Sequence, residues 1–189
     1  MKPYLLLLFI GFLSSQILAQ DKAANLVFWE SLTKHCGKSY EGTVTTPIHE
    51  NDPFAGKKLV MHVVDCGDGF IHIPFFVGED KSRTWVLTIN DGLIKLKHDH
   101  RHEDGTPDKV TQYGGIASNT GMAKIQFFPA DQETADLIPA SATNVWWITL
   151  DENYFTYNLR RVGTDRFFSV EFDLTKEVKS PGPAWGWEK

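Results

Sequence analysis

The most chemically dense stretch of the chain is residues 93–108, which read L-I-K-L-K-H-D-H-R-H-E-D-G-T-P-D. It holds three of the seven histidines at alternate positions, His98, His100 and His102, with Asp99 and Arg101 between them. Histidines two apart on one face of a strand can reach a single ion. His98 and His100 are therefore candidate ligands for a divalent transition metal, completed by His102 or by an acid from another strand. Beside an arginine and aromatic rings, the same side chains could instead fix the polar end of a small ligand. A solvated turn is the plain third reading. No enzyme signature accompanies the histidines: G-x-S-x-G, H-E-x-x-H, Walker A and G-x-G-x-x-G are all missing from the sequence. Counted from Asp99 as a calcium loop, the run has Asp104 where glycine is needed.

The direction in which the histidines point follows from the turn before them. Asp91-Gly92 is a strong two-residue hairpin signal, because a type I′ turn needs positive φ at both central residues. Taken literally, it pairs Ile89 with Ile94, Leu87 with Leu96, Trp85 with His98 and Arg83 with His100. All the apolar residues but Val86 then share one face, and two strands read separately agree on that register. His98, His100 and His102 continue the inward stripe, whereas Asp99 and Arg101 are expected on the solvent side. The candidate ligand-binding set is thus Arg83, Trp85, His98, His100 and His102, together with Tyr113 from the segment that follows. His62 and His72, in the preceding hairpin, are expected to be ordinary satisfied histidines.

The elements that must carry this set are mostly strands. Residues 23–35 have helical periodicity, with Leu26, Trp29 and Thr33 on one side, Phe28 and Leu32 adjoining, and Asn25, Glu30 and Lys34 pointing away. Beyond them the period becomes two, and turn residues mark strands at 39–46, 59–66, 70–77, 83–90, 93–102, 110–113, 122–128, 145–150, 154–162 and 167–174. Gly114-Gly115 reads as a turn, residues 129–142 as mostly loop, and the 180–189 tail as packing across an end of the sheet. The aromatics Phe75, Phe76, Phe127, Phe128, Trp146, Trp147, Phe155, Phe168 and Phe172 are assigned to the core or a cavity lining. Short links throughout favour a mainly β fold: a single antiparallel up-and-down β-barrel of about 9–10 strands with one N-terminal helix, whose closure removes exposed edges.

Composition limits the setting. Residues 1–19 have a positive start, an apolar run and a small-residue end, the pattern of a secretory signal. The run is too short for a permanent span, and no later segment is apolar enough to be transmembrane. Removing residues 1–19 takes away one lysine and no acid, so 170 residues remain with the formal charge changed from −5 to −6. Such a chain has the size of a single domain, residues 20–189. Nucleic acid and anionic membrane surfaces are poor partners for it. In the periplasm or outside the cell, Cys36 and Cys66 are expected to form a disulfide. Oligomeric state and ligand identity have no sequence signal.

Three resemblances bear on these expectations. Gly92, five residues, then His98-Asp99-His100 resembles the first cupin metal motif, but Glu103 comes one residue too early and no second motif follows. The signal, the helix with Phe28-Trp29, the run Gly37-Lys38-Ser39-Tyr40-Glu41-Gly42 and the serial meander resemble the calycin group of lipocalins, fatty-acid-binding proteins and nitrobindin-like barrels. That likeness implies a ligand cavity. Nitrobindin-like barrels hold haem through a late histidine, and no histidine follows His102 here. The lipocalin G-x-W is missing as well. More closely, the histidine run with Gln112-Tyr113-Gly114-Gly115, Phe172-Asp173-Leu174-Thr175 and Trp185-Gly186-Trp187 resembles short exported bacterial proteins without an assigned role. Three functions compete: a non-enzymatic binding barrel for a small apolar or amphipathic molecule, a metal-binding protein or metalloenzyme on His98 and His100, and a cell-envelope interaction protein.

Overall fold

Alternating apolar residues joined by tight turns give a meander of antiparallel strands, because each strand finds its nearest partner in the next one along the chain. The computed structural model describes residues 22–47 and 52–187. The expected signal at 1–19 lies outside them. A helix, α1 (Ala24–Thr33), is followed by β1 (Ser39–Val44), β2 (Leu59–His62), β3 (Val64–Gly67), β4 (Phe70–Val77), β5 (Asp80–Asn90) and β6 (Leu93–His100). Next come β7 (Tyr113–Ile116), β8 (Ile125–Pro129), a short α2 (Gln132–Leu137), β9 (Asn144–Leu150), β10 (Tyr154–Arg161) and β11 (Phe167–Val178). The sheet runs β7-β6-β5-β4-β2-β1-β11-β10-β9-β8, with β3 paired to β4 beside this path. It is a nearly closed antiparallel barrel of eleven strands. The count exceeds the expected 9–10 because the 59–66 run breaks at Val63 into β2 and β3, with Asp65 at φ 47°.

The seam of the barrel lies between β7 and β8, and Gly114-Gly115 makes it possible. These glycines form the middle of a strand and not the turn expected of them. A Cβ on Gly115 would lie 1.7 Å from the Pro129 carbonyl oxygen, and one on Gly114 would lie 2.0 Å from that of Leu96. Only residues without side chains let β7 approach both neighbours so closely. Across the seam, the fully buried Thr134 hydroxyl accepts from the Gly114 N–H at 2.7 Å and donates to the Gly114 carbonyl at 2.8 Å. Thr134 is in α2, where loop was expected. Asp131 caps that helix by accepting from the Thr134 N–H at 2.9 Å. Lys97 on the outer face of β6 holds the cap in place, bonded to Asp131 and Glu133 at 2.7 Å each.

One end of the barrel is filled. The face of α1 that enters the core is Asn25, Phe28, Trp29 and Leu32, with Leu26 left 39 % exposed. This corrects the expected stripe by rotating it towards Asn25, whose amide donates to the Gly92 carbonyl at the β5–β6 turn. Phe28 and Leu32 belong to one cluster with Ile71, Leu87, Ile94, Leu96, Ile148 and Phe172. A disulfide between Cys36 and Cys66, Cα atoms 6.2 Å apart, ties the chain just after α1 to β3. Closing that loop constrains the unfolded chain by about 3–4 kcal/mol in the chain-entropy account.

The tail crosses the outer wall of the barrel and not its end. Ala184 packs on Val60 and Phe76, and Trp187 lies 4.3 Å from the His72 ring. Phe76 is therefore on the outside, as are Phe127 and Trp147, whose rings meet at 6.1 Å; Phe127 is 43 % exposed. All three were expected in the core or cavity.

Candidate ligand-binding cavity

The opposite end of the barrel is open, and the strand register determines what lines it. Asp91 and Gly92 take φ of 51° and 75°, as a type I′ turn requires. Arg83 then faces His100, Trp85 faces His98, Leu87 faces Leu96 and Ile89 faces Ile94, which are the four expected pairs. The turn lies at the plugged end, so each step along β6 rises towards the opening. There, a cavity of about 690 Å³ is bounded by Phe75, Trp85, His98, His100, Tyr113 and Trp146 on one side, and by Tyr157, Phe168 and the 160–167 hairpin on the other.

Its floor is aromatic. The Trp85 ring lies between Phe75 at 4.8 Å and Tyr157 at 4.3 Å, within 17° and 13° of parallel. Trp85 is 2 % exposed and Phe75 likewise, so this layer separates the cavity from the packed half below. Phe75 and Tyr157 cover the faces of Trp85, so the layer bounds the open space with ring edges, which are apolar.

Above the floor are two histidine–tyrosine pairs. The Nδ1 atom of His98 is 3.0 Å from the Tyr113 carbonyl oxygen, which can only accept, so Nδ1 carries the proton. Nε2 is then the acceptor for the Tyr157 hydroxyl at 2.6 Å. Both nitrogens are thus engaged, and burial pushes the His98 pKa down to about 3, so the ring is neutral at any ordinary pH. His100 shares a 3.0 Å hydrogen bond between Nε2 and the Tyr113 hydroxyl. Burial lowers its pKa too, and the Arg83 charge adds to the effect. Burial raises Tyr113 to about 12, against the opposing charges of Arg83 and Arg166.

The rim is cationic. Arg83, Arg160, Arg161 and Arg166 line it, against Asp52 and Asp165. Arg83 is oriented by Asp80 three residues earlier on β5. Arg161 is held by neutral partners, Asn144 at 2.9 Å and Ser141 at 3.2 Å, so its charge is not cancelled by them.

Tyr113 reaches the cavity because the 101–112 loop is braced from outside. Asp99 accepts from Arg101 Nε at 2.7 Å, Gln112 Nε2 at 2.7 Å and Trp187 Nε1 at 3.0 Å. It is on the outer face, as the register requires, yet only 2 % exposed. The expectation of a solvent-side Asp99 fails because the tail covers it, with the Arg101 guanidinium 5.1 Å from the Trp187 ring centroid. Strand β6 ends at His100, so His102 leaves the inward alternation. It is exposed in the following turn, where its N–H donates to the Thr106 carbonyl at 2.8 Å. Val110, expected in a strand, is in the loop, and β7 begins at Tyr113.

Of the six residues expected at the site, the fold brings Arg83, Trp85, His98, His100 and Tyr113 together and leaves His102 outside. Trp146, expected in the core or a cavity lining, joins them, and Tyr157 and the three hairpin arginines are the partners that sequence reasoning missed. The run R-R-V-G-T-D-R-F at 160–167 is visible in the chain, but its distance from residue 98 gives no hint that both reach one opening. A metal fits this arrangement poorly. The two nitrogens of His98 are engaged, and among the described residues no group of three or more His, Cys, Asp or Glu side chains is placed to hold an ion. A second, smaller groove of about 380 Å³ lies on the outer wall under the tail, beside His62 and His72. There, His62 Nδ1 is bonded to the Ser180 hydroxyl at 2.9 Å.

No helix among the described residues is long and apolar enough to cross a membrane. Compared with protein-family models, with curated proteins and with solved structures, the chain matches none. Its chemistry must therefore be argued from the cavity itself.

Proposed function

We propose that this protein is an exported barrel of the calycin type that binds a small amphipathic molecule and does not convert it, working in the periplasm or outside the cell. The observation that carries the reading is the half-filled interior: a plugged, densely packed end and, above the Trp85 layer, about 690 Å³ of open space. That volume is within the usual range for small-molecule sites, roughly 300–1,000 Å³. The polar groups in the cavity support binding over catalysis. His98 is neutral and engaged at both nitrogens, so it has neither a proton to give nor a lone pair free to take one. The disulfide supports an oxidising compartment.

Protein purified from its own host, without detergent, is to be extracted with organic solvent and the extract analysed by mass spectrometry. The expected result is a co-extracted amphiphile that is lost in a variant with the cavity filled, Ser141→Phe combined with Leu159→Trp. An empty extract, together with no saturable uptake of any long-chain probe by the purified protein, would sink the reading.

A further inference from the structure

The cavity has a polarity gradient, and the gradient defines the ligand more narrowly than its volume does. From the floor upward, the lining changes from apolar rings, Phe75 and Trp85, through the neutral pairs His98–Tyr157 and His100–Tyr113, to arginines at the opening. The chain as a whole is acidic, −5 in formal charge, yet the rim sets four arginines against Asp52, Asp165 and the Asp80 that is paired with Arg83. Three of those arginines, Arg160, Arg161 and Arg166, come from a single hairpin of seven residues, and the fourth, Arg83, stands across the opening beside His100. A guanidinium has five N–H donors, so the bond from Arg83 to Asp80 leaves most of its fork available.

We infer that the ligand is an anionic amphiphile, bound with its apolar part on the Trp85 layer and its carboxylate or phosphate group at the rim, between Arg83 and the arginines of the 160–166 hairpin. This rests on the reading of the cavity as a binding site and adds the charge and the orientation of what it holds. The Tyr–His layer cannot supply the counter-charge for a cationic head group, because burial holds His98 and Tyr113 in their neutral forms. The acids there, Asp52, Asp165 and Asp80, are outnumbered by the four arginines. An anion at the opening stays near water and gains charge-assisted hydrogen bonds, the stronger kind, without the penalty of carrying a charge into the aromatic floor.

Four probes with one tail and different heads test this: dodecanoate, dodecyl phosphate, dodecan-1-ol and dodecyltrimethylammonium, titrated against the wild-type protein by isothermal calorimetry at low salt. The anionic probes should bind roughly tenfold or more tightly than the alcohol, as one or more charge-assisted contacts imply. The cation should bind most weakly. Arg166→Gln, at an exposed position whose side chain makes no hydrogen bond among the described residues, should weaken the anionic probes more than it weakens dodecan-1-ol; Arg83→Gln should reduce the anion preference further. Whether carboxylate or phosphate binds more tightly identifies the head group. Equal affinity for dodecanoate and dodecan-1-ol, or a preference that survives both substitutions, overturns the inference and leaves the binding barrel standing. Failure of all four probes to bind overturns both.

Discussion

At the scale of single residues, His98 shows how placement determines chemistry. An imidazole with an ordinary pKa near 6.5 becomes, when buried between the Tyr113 carbonyl and the Tyr157 hydroxyl, a group that protonates only near about 3. The consequence is a stability slope of known sign. Between these two values the unfolded chain binds a proton that the folded chain does not. Stability therefore falls as pH falls through that window, by on the order of 1.4 kcal/mol for each pH unit from this one group. Above the upper value the group contributes no slope. His35, His62 and His100, all lowered chiefly by burial, act in the same direction. Urea unfolding between pH 7 and pH 4 should thus show a steeper loss for the wild type than for His98→Gln, which cannot titrate. Identical slopes would mean that the imidazole is not buried in its neutral form.

At the scale of elements, legibility in the sequence followed the range of the interactions. The β5–β6 hairpin was readable to the residue because its register depends on a local turn, Asp91-Gly92, and on two apolar stripes that must agree. The inward placement of His98 and His100 came with it. What failed depended on contacts distant in sequence. Asp99 looks solvent-facing until Trp187, 88 residues later, covers it. Gly114-Gly115 looks like a turn until the Pro129 carbonyl and the Leu96 backbone close in on it. Helix α2 was a local miss, since Asp131 followed by Thr134 is a capping signal that the surrounding loop residues obscured. The seam can be tested directly. Gly115→Ala places a methyl group where backbone already lies, and Thr134→Val removes the acceptor of the Gly114 N–H, while the Gly114 carbonyl keeps the Asp131 N–H at 3.0 Å. Each should destabilise, the second by about 1–3 kcal/mol for the buried unpaired N–H. Hydrogen exchange should quicken first in β7 and β8. An unchanged exchange pattern there would show that the barrel does not depend on this closure.

At the scale of the whole molecule, the chain divides one barrel between two tasks. The half below the Trp85 layer is a core, plugged by α1 and tied by Cys36–Cys66. The half above it is a space framed by aromatic rings, two His–Tyr pairs and a cationic rim. The outer features, the tail over Asp99 and the Lys97 ion pairs at the seam, hold β6 and β7 where their inward side chains frame that space. The arginines stand in the open half and not in the packed one. Occupancy of that half is therefore the central claim, and Trp85 provides the reporter. Bromine quenches indole fluorescence only at close range, so the protein is to be titrated with ω-bromododecanoic acid, whose bromine is at the tail. The account predicts saturable quenching that becomes shallower in Trp85→Phe and disappears in Trp85→Phe combined with Trp146→Phe, the other cavity tryptophan, while calorimetry shows the probe still bound. Tryptophan emission that does not saturate with the probe, or quenching of equal depth in Trp85→Phe, would contradict it.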